Sequence, residues 1–395
     1  MLLSDEQKAM LDGAYGETVR RLMRLLARLG EIYGAERMLK VESAQISGVS
    51  YKSLGEPGLD FLRDVAACGA RVKAITSMNP AGMDLEDWRS HGIPEDFANK
   101  QQQVIEALCR LGVAPSATCT PYFTGNLPRY SQHLAWAESS AVAFANSVIG
   151  ARTNREGGPS ALAAALCGCT PGYGLHLEEN RRPTMAVDVL TELRSSADFS
   201  ALGYYVGERV KAGIPYFRGV KSARIDELKA LGAAMAASGS VALYHIHEIT
   251  PEARLLATAR LDSIAVGRRE IDEVYSRLNT AERPDLVVIG CPHASLREIV
   301  AVARKLQNKR VKKPLWVCTS RSLKQSANAM GLTRIIEQAG GQLVADTCMV
   351  VSPIEEMGFQ ATGVNSAKAA HYLPSFCRQK VMFRETDELI KGVIE

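Results

Sequence analysis

The run Asp285-Leu-Val-Val-Ile stops at Gly290-Cys291-Pro292-His293, and a helix capped by Ser295 then extends to Leu306. An apolar segment of strand length with no polar alternation predicts a strand buried on both faces. Such strands are typically parallel and need helical crossovers, which restricts the fold more than any other feature of the chain. The pattern recurs. Pro314–Thr319 is a second strand, followed by a helix over Leu323–Ala339, and Gln342–Asp346 is a third, ending at Thr347-Cys348.

The N-terminal half repeats the alternation. Leu22, Leu25, Leu26 and Leu29 mark one face of an opening amphipathic helix, with Arg20, Arg21, Arg24 and Arg28 mostly off it. A strand over Met38–Val41 leads into a polar loop, Glu42–Gly58, in which Gly48, Gly55 and Gly58 allow tight turns. Helix Leu59–Ala67, strand Arg71–Thr76 and the loop Ser77–Asp84 follow, with Asn79-Pro80 as turn residues. Helix Phe97–Leu111 and strand Gly112–Ala117 then lead to Cys119. The expected fold is a multi-lobe α/β/α architecture of parallel sheets, with ligands gathering beyond the carboxyl ends of the strands. Residues 171–219 are less regular and suggest a division into lobes 1–200 and 201–395. Beyond them, helix Ala223–Ala237 precedes strand Val241–Ile249, where His245 and His247 share a face and read as structural. His176, beside Glu178 and Glu179, reads as a surface residue.

The stretch Ala117–Ser160 carries more polar function than packing requires. Cys119 sits in a Thr-Cys-Thr-Pro turn, and an alanine-rich helix is expected over Ala135–Ser147, breaking at Gly150. Arg152, Asn154 and Arg155 then precede the Gly157-Gly158 turn, and Lys368 lies in a second polar loop over residues 362–368. Arginines and N–H donors of this kind anchor carboxylates and phosphates. A net charge of +4 on scattered Lys and Arg lacks the footprint of a nucleic-acid binder. No apolar run of about 18 residues indicates a membrane span, so a cytoplasmic protein is expected.

Nine cysteines, an odd number without a tight disulfide framework, direct attention to metal ligation. Cys119, Cys291 and Cys348 each lie just past an expected strand, beside Thr, Pro or Gly. Three converging thiolates would leave one iron of a [4Fe–4S] cube without a protein ligand. Cys318 competes for a place in that set, Cys167 and Cys169 read as packing, and three small core cysteines remain the alternative.

CTPY, the segment AWAESSAV, ANSVIGARTNREGGPSALAAA, GVSYKSLGEPGL, GCPHAS and DTCMVVSP together resemble the large, catalytic component of the aconitase X family, iron–sulfur hydro-lyases, over nearly the whole chain. The resemblance implies cluster ligands at Cys119, Cys291 and Cys348, in a [4Fe–4S] cluster isolable as [3Fe–4S] once its open iron is lost. It implies catalytic roles for Glu138 and Ser139, and substrate contacts at these two and at Gly48, Val49, Ser50, Asn79, Pro80, Arg152, Asn154, Arg155 and Lys368. It also implies a partner. The swivelling domain that carries the serine base in this superfamily has no counterpart along residues 1–395, so a small subunit of about 130 residues, an ordinary domain size, is expected to supply it. The family's branches dehydrate (R)-5-phosphomevalonate, giving trans-anhydromevalonate 5-phosphate in isoprenoid synthesis, or cis-3-hydroxy-L-proline. Separate large and small chains resemble the archaeal phosphomevalonate branch, with hydroxyproline as the alternative substrate. An iron–sulfur electron carrier and a cluster-free α/β binding protein are readings from other classes. The first would keep four ligands, and the second leaves the cysteines unexplained.

Overall fold

A computed structural model of the chain describes residues 1–256 and 261–394. Its strands form three parallel sheets and one short antiparallel pair, Met38–Lys40 with Cys169–Pro171. In the first sheet Ser43–Ile46 lies between Ile75–Met78 and Leu134–Trp136. Beyond this last strand, residues 152–156 run alongside, with Leu134 N–H bonded to Arg152 O at 2.9 Å and Glu156 N–H to Trp136 O at 3.0 Å. The middle sheet is ordered His245–Ile246, Pro215–Arg218, Met185–Val189, Ser263–Val266. The third runs Gln342–Ala345, Leu315–Thr319, Leu286–Ile289, Ala361–Val364, Lys380–Phe383.

Strand order reverses within the outer two sheets, and that decides where ligands can enter. The connections out of Leu286–Ile289 build the third sheet to one side, and the chain then returns to place Ala361–Val364 on the other. In the first sheet Ile75–Met78 is added on one side of Ser43–Ile46 and Leu134–Trp136 on the other. At each reversal the loops leave in opposite directions and open a crevice at the carboxyl edge. The first crevice is flanked by Gly48–Ser50 and Glu138, the third by Cys291 and Ser366–Lys368. The two face each other.

Charged groups hold the sheets in that relation. Asp84, from the loop after Ile75–Met78, accepts from Ala345 N–H at 3.0 Å and from Lys324 Nζ at 3.2 Å, and both Asp84 and Asp346 receive Arg321. Ala81 N–H donates to Asp346 O at 2.8 Å, and the Ser50 hydroxyl to Val351 O at 2.8 Å. The cluster is buried, so its charges are tied into the fold by being paired.

Several expectations are corrected. A boundary at residue 200 falls inside helix Ser196–Val210, and the middle sheet takes strands from both sides of it. Ala135 and Trp136 belong to a strand, because both are fully buried beside Ser43–Ile46, and the helix begins only at Ser139. The loop expected over 42–58 contains that central strand Ser43–Ile46 and the first turns of a kinked helix, Tyr51–Ala67. Of the polar loop at 362–368, Thr362 is in a strand, and Ser366 caps helix Ala367–Cys377, which carries Lys368 in its first turn. His176 is 1% exposed and pairs with His133, so it is a core residue. Among the described residues no helix is long and apolar enough to cross a membrane.

Candidate active site

Cys291 is placed by Gly290. That glycine has φ +112°, and a side chain there would lie 2.2 Å from Cys318 O, so only glycine lets the chain turn this tightly over the neighbouring strand. Cys348 follows strand Gln342–Ala345, and Cys119 follows Thr118, whose N–H is bonded to Met78 O at 3.0 Å. The three cysteines thus come from loops at the facing edges of the two sheets. Their sulfurs lie within one another's electrostatic reach, Cys348 influencing both Cys119 and Cys291. Each sulfur has a donor. His293 N–H points to Cys119 Sγ at 3.2 Å, the Ser366 hydroxyl to Cys291, and the N–H groups of Val350 and Val351 to Cys348. Burial pushes all three thiols up, Cys291 to about 12, so in the metal-free chain they hold their protons.

Cys318 is fully buried and also lies close to the three. It sits within strand Leu315–Thr319 and not on a loop past the strand. Cys167 and Cys169 are buried near Lys73, away from this site, as expected of packing residues.

Opposite the cysteines, Glu138 caps helix Ser139–Phe144. It accepts from Asn79 Nδ2 at 3.0 Å, from the Ser140 hydroxyl at 2.8 Å and from Lys368 Nζ. Burial alone would raise its pKa, but Lys368 draws it down to about 2, and the carboxylate is ionised. Burial works against the Lys368 ammonium too. The negative charge of Glu138 nevertheless raises its pKa above the usual lysine value. Ser139, buried, opens the helix, and Pro80 is buried beside Asn79. Gly48, Val49 and Ser50 form the loop after the central strand. A side chain at Gly158 would meet Ser47 O at 2.9 Å, so the N-terminus of helix Gly158–Cys167 lies against this loop.

The arginines divide. Arg155 is exposed, three residues before the first residue of that helix. Arg152 is at the opposite edge, bridged to His133 before the strand begins, donating to His176 O at 3.2 Å and lying 3.6 Å from Glu178. It lines a cavity of about 550 Å³ with Arg37, His133 and His176 that contains none of the cysteines. Asn154 is spent on a turn, accepting from Leu175 N–H at 2.9 Å and donating to Tyr173 O at 3.1 Å. The structure brings together Gly48–Ser50, Asn79, Pro80, Glu138, Ser139, Lys368 and the three cysteines, and leaves Arg152 and Asn154 outside.

Two functional groups escaped the sequence reading. His293 contacts all three cysteine loops, and the only signal for it was its place in Gly-Cys-Pro-His. Tyr122, in the turn after Cys119, is 5% exposed, and its buried hydroxyl has no hydrogen-bond partner among the described residues.

An α/β protein with two facing carboxyl-edge crevices, three thiols on one side and a buried Lys–Glu pair across them is built to act on a small anionic ligand. Sequence patterns for the first, second and third domains of aconitase X match residues 1–179, 183–276 and 284–395, and the chain belongs to the aconitase X family. It is 53% identical to the phosphomevalonate dehydratase large subunit of Methanocaldococcus jannaschii, across 99% of this chain and 100% of that one. It is 50% identical to the protein of the same name from Methanothermobacter thermautotrophicus, across 98% of both. The cis-3-hydroxy-L-proline dehydratase of Pseudomonas aeruginosa is 34% identical across 95% of this chain and 67% of its own. The crystal structure of Thermococcus kodakaraensis aconitase X in its holo form superposes with a TM-score of 0.94 at 44% identity, each chain covered completely.

Family membership implies an iron–sulfur cluster, and the residues fit one. The orphaned Tyr122 hydroxyl lies within electrostatic reach of Cys119, and the orphaned Thr347 hydroxyl is adjacent to Cys348. Donors left idle around thiolates match the hydrogen bonds that cluster sulfurs accept. Among the described residues no three His, Cys, Asp or Glu side chains converge on a single ion. A cluster asks for wider spacing, since each cysteine binds a different iron.

Proposed function

We propose that this chain is the large subunit of a hydro-lyase that dehydrates (R)-5-phosphomevalonate to trans-anhydromevalonate 5-phosphate. Cys119, Cys291 and Cys348 would hold a [4Fe–4S] cluster, isolable as [3Fe–4S]. Bound there, the cluster supplies a Lewis-acidic iron with a free position for the departing hydroxyl. The observation that carries the reading is the Lys368–Glu138 pair, buried and charged, at the mouth shared by both crevices.

Each residue then has a task. Lys368 is placed to hold the substrate carboxylate by exchanging part of its contact with Glu138. Asn79 orients Glu138 through its amide, and the orphaned Oδ1 of the same amide is available to a substrate hydroxyl. The loop Gly48–Ser50, with Pro80, frames the ligand. Arg155 and the N–H groups opening helix Gly158–Cys167 offer a second anionic subsite, where a phosphate can bind without displacing a buried charge. A substrate with a carboxylate at one end and a phosphate at the other uses both subsites, and hydroxyproline uses one. This favours phosphomevalonate, as do the relatives so named. The base that removes the proton is assigned to a serine of a small swivelling subunit.

The test is co-expression with the small subunit from the same genome, anaerobic purification, and parallel assays on (R)-5-phosphomevalonate and cis-3-hydroxy-L-proline with products identified by mass. Loss of one water from phosphomevalonate alone is expected. Turnover of hydroxyproline alone would overturn the substrate assignment.

A further inference from the structure

His293 is fully buried, two residues past Cys291, and every polar atom it has is engaged. Nε2 lies 3.0 Å from Thr347 O, the carbonyl just before Cys348. A carbonyl oxygen only accepts, so Nε2 carries the proton. In a neutral imidazole Nδ1 is then the acceptor, and the hydroxyl of Thr118, just before Cys119, lies 2.9 Å from it. Thr118 Oγ1 in turn takes Thr120 N–H at 3.2 Å, which fixes the loop on the other side of Cys119. The backbone of His293 points its N–H to Cys119 Sγ at 3.2 Å and receives Lys229 Nζ on its carbonyl at 3.0 Å. One ring therefore links residues neighbouring three cysteines that come from different loops.

We propose that His293 is a positioning residue that fixes the spacing of the Cys119, Cys291 and Cys348 loops in the metal-free chain, and so governs how firmly a cluster is held. The inference rests on the reading of these cysteines as cluster ligands. A residue that merely filled the core would need only the volume of the ring. Here the direction of each hydrogen bond matters, because the Thr118 arm needs an acceptor and the Thr347 arm a donor. Loss of either arm frees one cysteine loop relative to the other two. Partners of this kind behind metal ligands typically change affinity by about 10–100-fold.

The arms are separable. His293→Asn keeps an oxygen near the Nδ1 position and drops the reach to Thr347, whereas His293→Gln keeps a distant donor and drops the acceptor for Thr118. Thr118→Val removes the same arm from the far side at nearly constant volume. Three quantities are read for each purified full chain: iron and sulfide after anaerobic reconstitution, the rate of iron loss to a chelator, and the melting temperature before reconstitution. The expected result is iron loss about 10–100-fold faster in all three variants, with melting of the metal-free chain little changed in Thr118→Val. Nitrogen-15 NMR of histidine-labelled, metal-free wild type should show Nε2 protonated and Nδ1 bare at this residue. Wild-type iron retention in the variants overturns the proposal, as does the opposite tautomer. Iron loss that only tracks lowered melting overturns it in favour of core filling. A wild-type chain that binds no iron refutes the cluster reading, and this inference with it.

Discussion

Lys368, in the first turn of a helix of the third sheet, donates to Glu138 at the end of a strand of the first, and both side chains are nearly buried, 11% and 13% exposed. Two opposite charges out of water are stable only together, so each residue fixes the other's position across the crevice. Lys368→Met and Glu138→Gln should each abolish turnover. Lys368→Met should also destabilise the chain by about 3–5 kcal/mol, since it leaves a buried carboxylate unpaired. Denaturant unfolding of the two variants and the double substitution checks this, and additive losses would mean that the pair is not coupled. The pH dependence has a definite sign. Glu138 titrates near 2 when folded and near its ordinary 4.5 when unfolded. Its contribution is therefore complete above about 4.5 and disappears as pH falls towards 2, and the stability gap between wild type and Glu138→Gln should shrink over that window.

Serine at 119, 291 or 348 should remove most of the reconstituted iron, while serine at the exposed Cys68 or the half-buried Cys109 should not. Cys377 should also retain iron as serine, because its thiol is occupied with Lys52 at 3.3 Å. Cys318 is the discriminating case. It lies beside the other three but within a strand, and loss of the cluster in Cys318→Ser together with its retention in Cys291→Ser would reassign the ligand set.

Arg152 and Arg155 are three residues apart in sequence and at different sites in the fold. Arg155→Met should raise KM by about 10–100-fold with a smaller effect on kcat, as expected for loss of a charge-assisted contact to a substrate anion. Arg152→Met should leave KM unchanged. Equal effects from the two substitutions would disprove the separation of the cysteine site from the His133–His176 cavity.

Three of the five strands of the third sheet, at Leu286–Ile289, Leu315–Thr319 and Gln342–Ala345, were legible because they are mostly apolar, and the strand-end cysteines followed from that, whereas Ala361–Val364 and Lys380–Phe383 carry no such run. The central strand of the first sheet was not legible. Ser43-Ala-Gln-Ile is fully buried, but two of its side chains are polar, Gln45 Nε2 donating to Thr118 O and Ser43 Oγ accepting from Trp136 Nε1, so no hydrophobic pattern marks it. Ala135-Trp136 misled in the other direction, since alanine-rich sequence suits a helix until strand Ser43–Ile46 on one side and residues 152–156 on the other claim it. Proximity in sequence placed Arg152 beside Arg155, but the extended run 152–156 carries the two to opposite ends of strand Leu134–Trp136. His293 was invisible because its role lies in three contacts made at long range.

Arg321 offers a test of how the two sheets are held together. It binds Asp84 and Asp346, both almost wholly inaccessible, together with the more exposed Glu86. Burial raises Asp346 to about 6 even with Arg321 beside it, whereas Asp84, with Lys324 and backbone donors as well, is held well below the usual range. Arg321→Met should cost about 3–5 kcal/mol in unfolding experiments at neutral pH. Part of that loss should be recovered as pH falls towards 6, because without Arg321 the Asp346 carboxyl takes its proton at a higher pH than in wild type. A variant as stable as wild type would show that the network does not bind the sheets.

The last prediction concerns the partner. The carboxylate and the imidazole beside the cysteines are already committed: Glu138 to Lys368, Asn79 and Ser140, and His293 to Thr118 and Thr347. Proton abstraction would require one of them to leave a buried contact, which makes a base from outside this chain the less costly arrangement. Purified alone, the chain should take up iron and sulfide and show no dehydratase activity, and adding the small subunit should restore turnover. A serine-to-alanine scan of that subunit should then reveal one position whose loss removes kcat while the cluster spectrum stays intact. Full activity from the isolated chain would refute the assignment, and Glu138, freed from Lys368 by the incoming carboxylate, would become the first candidate for the base.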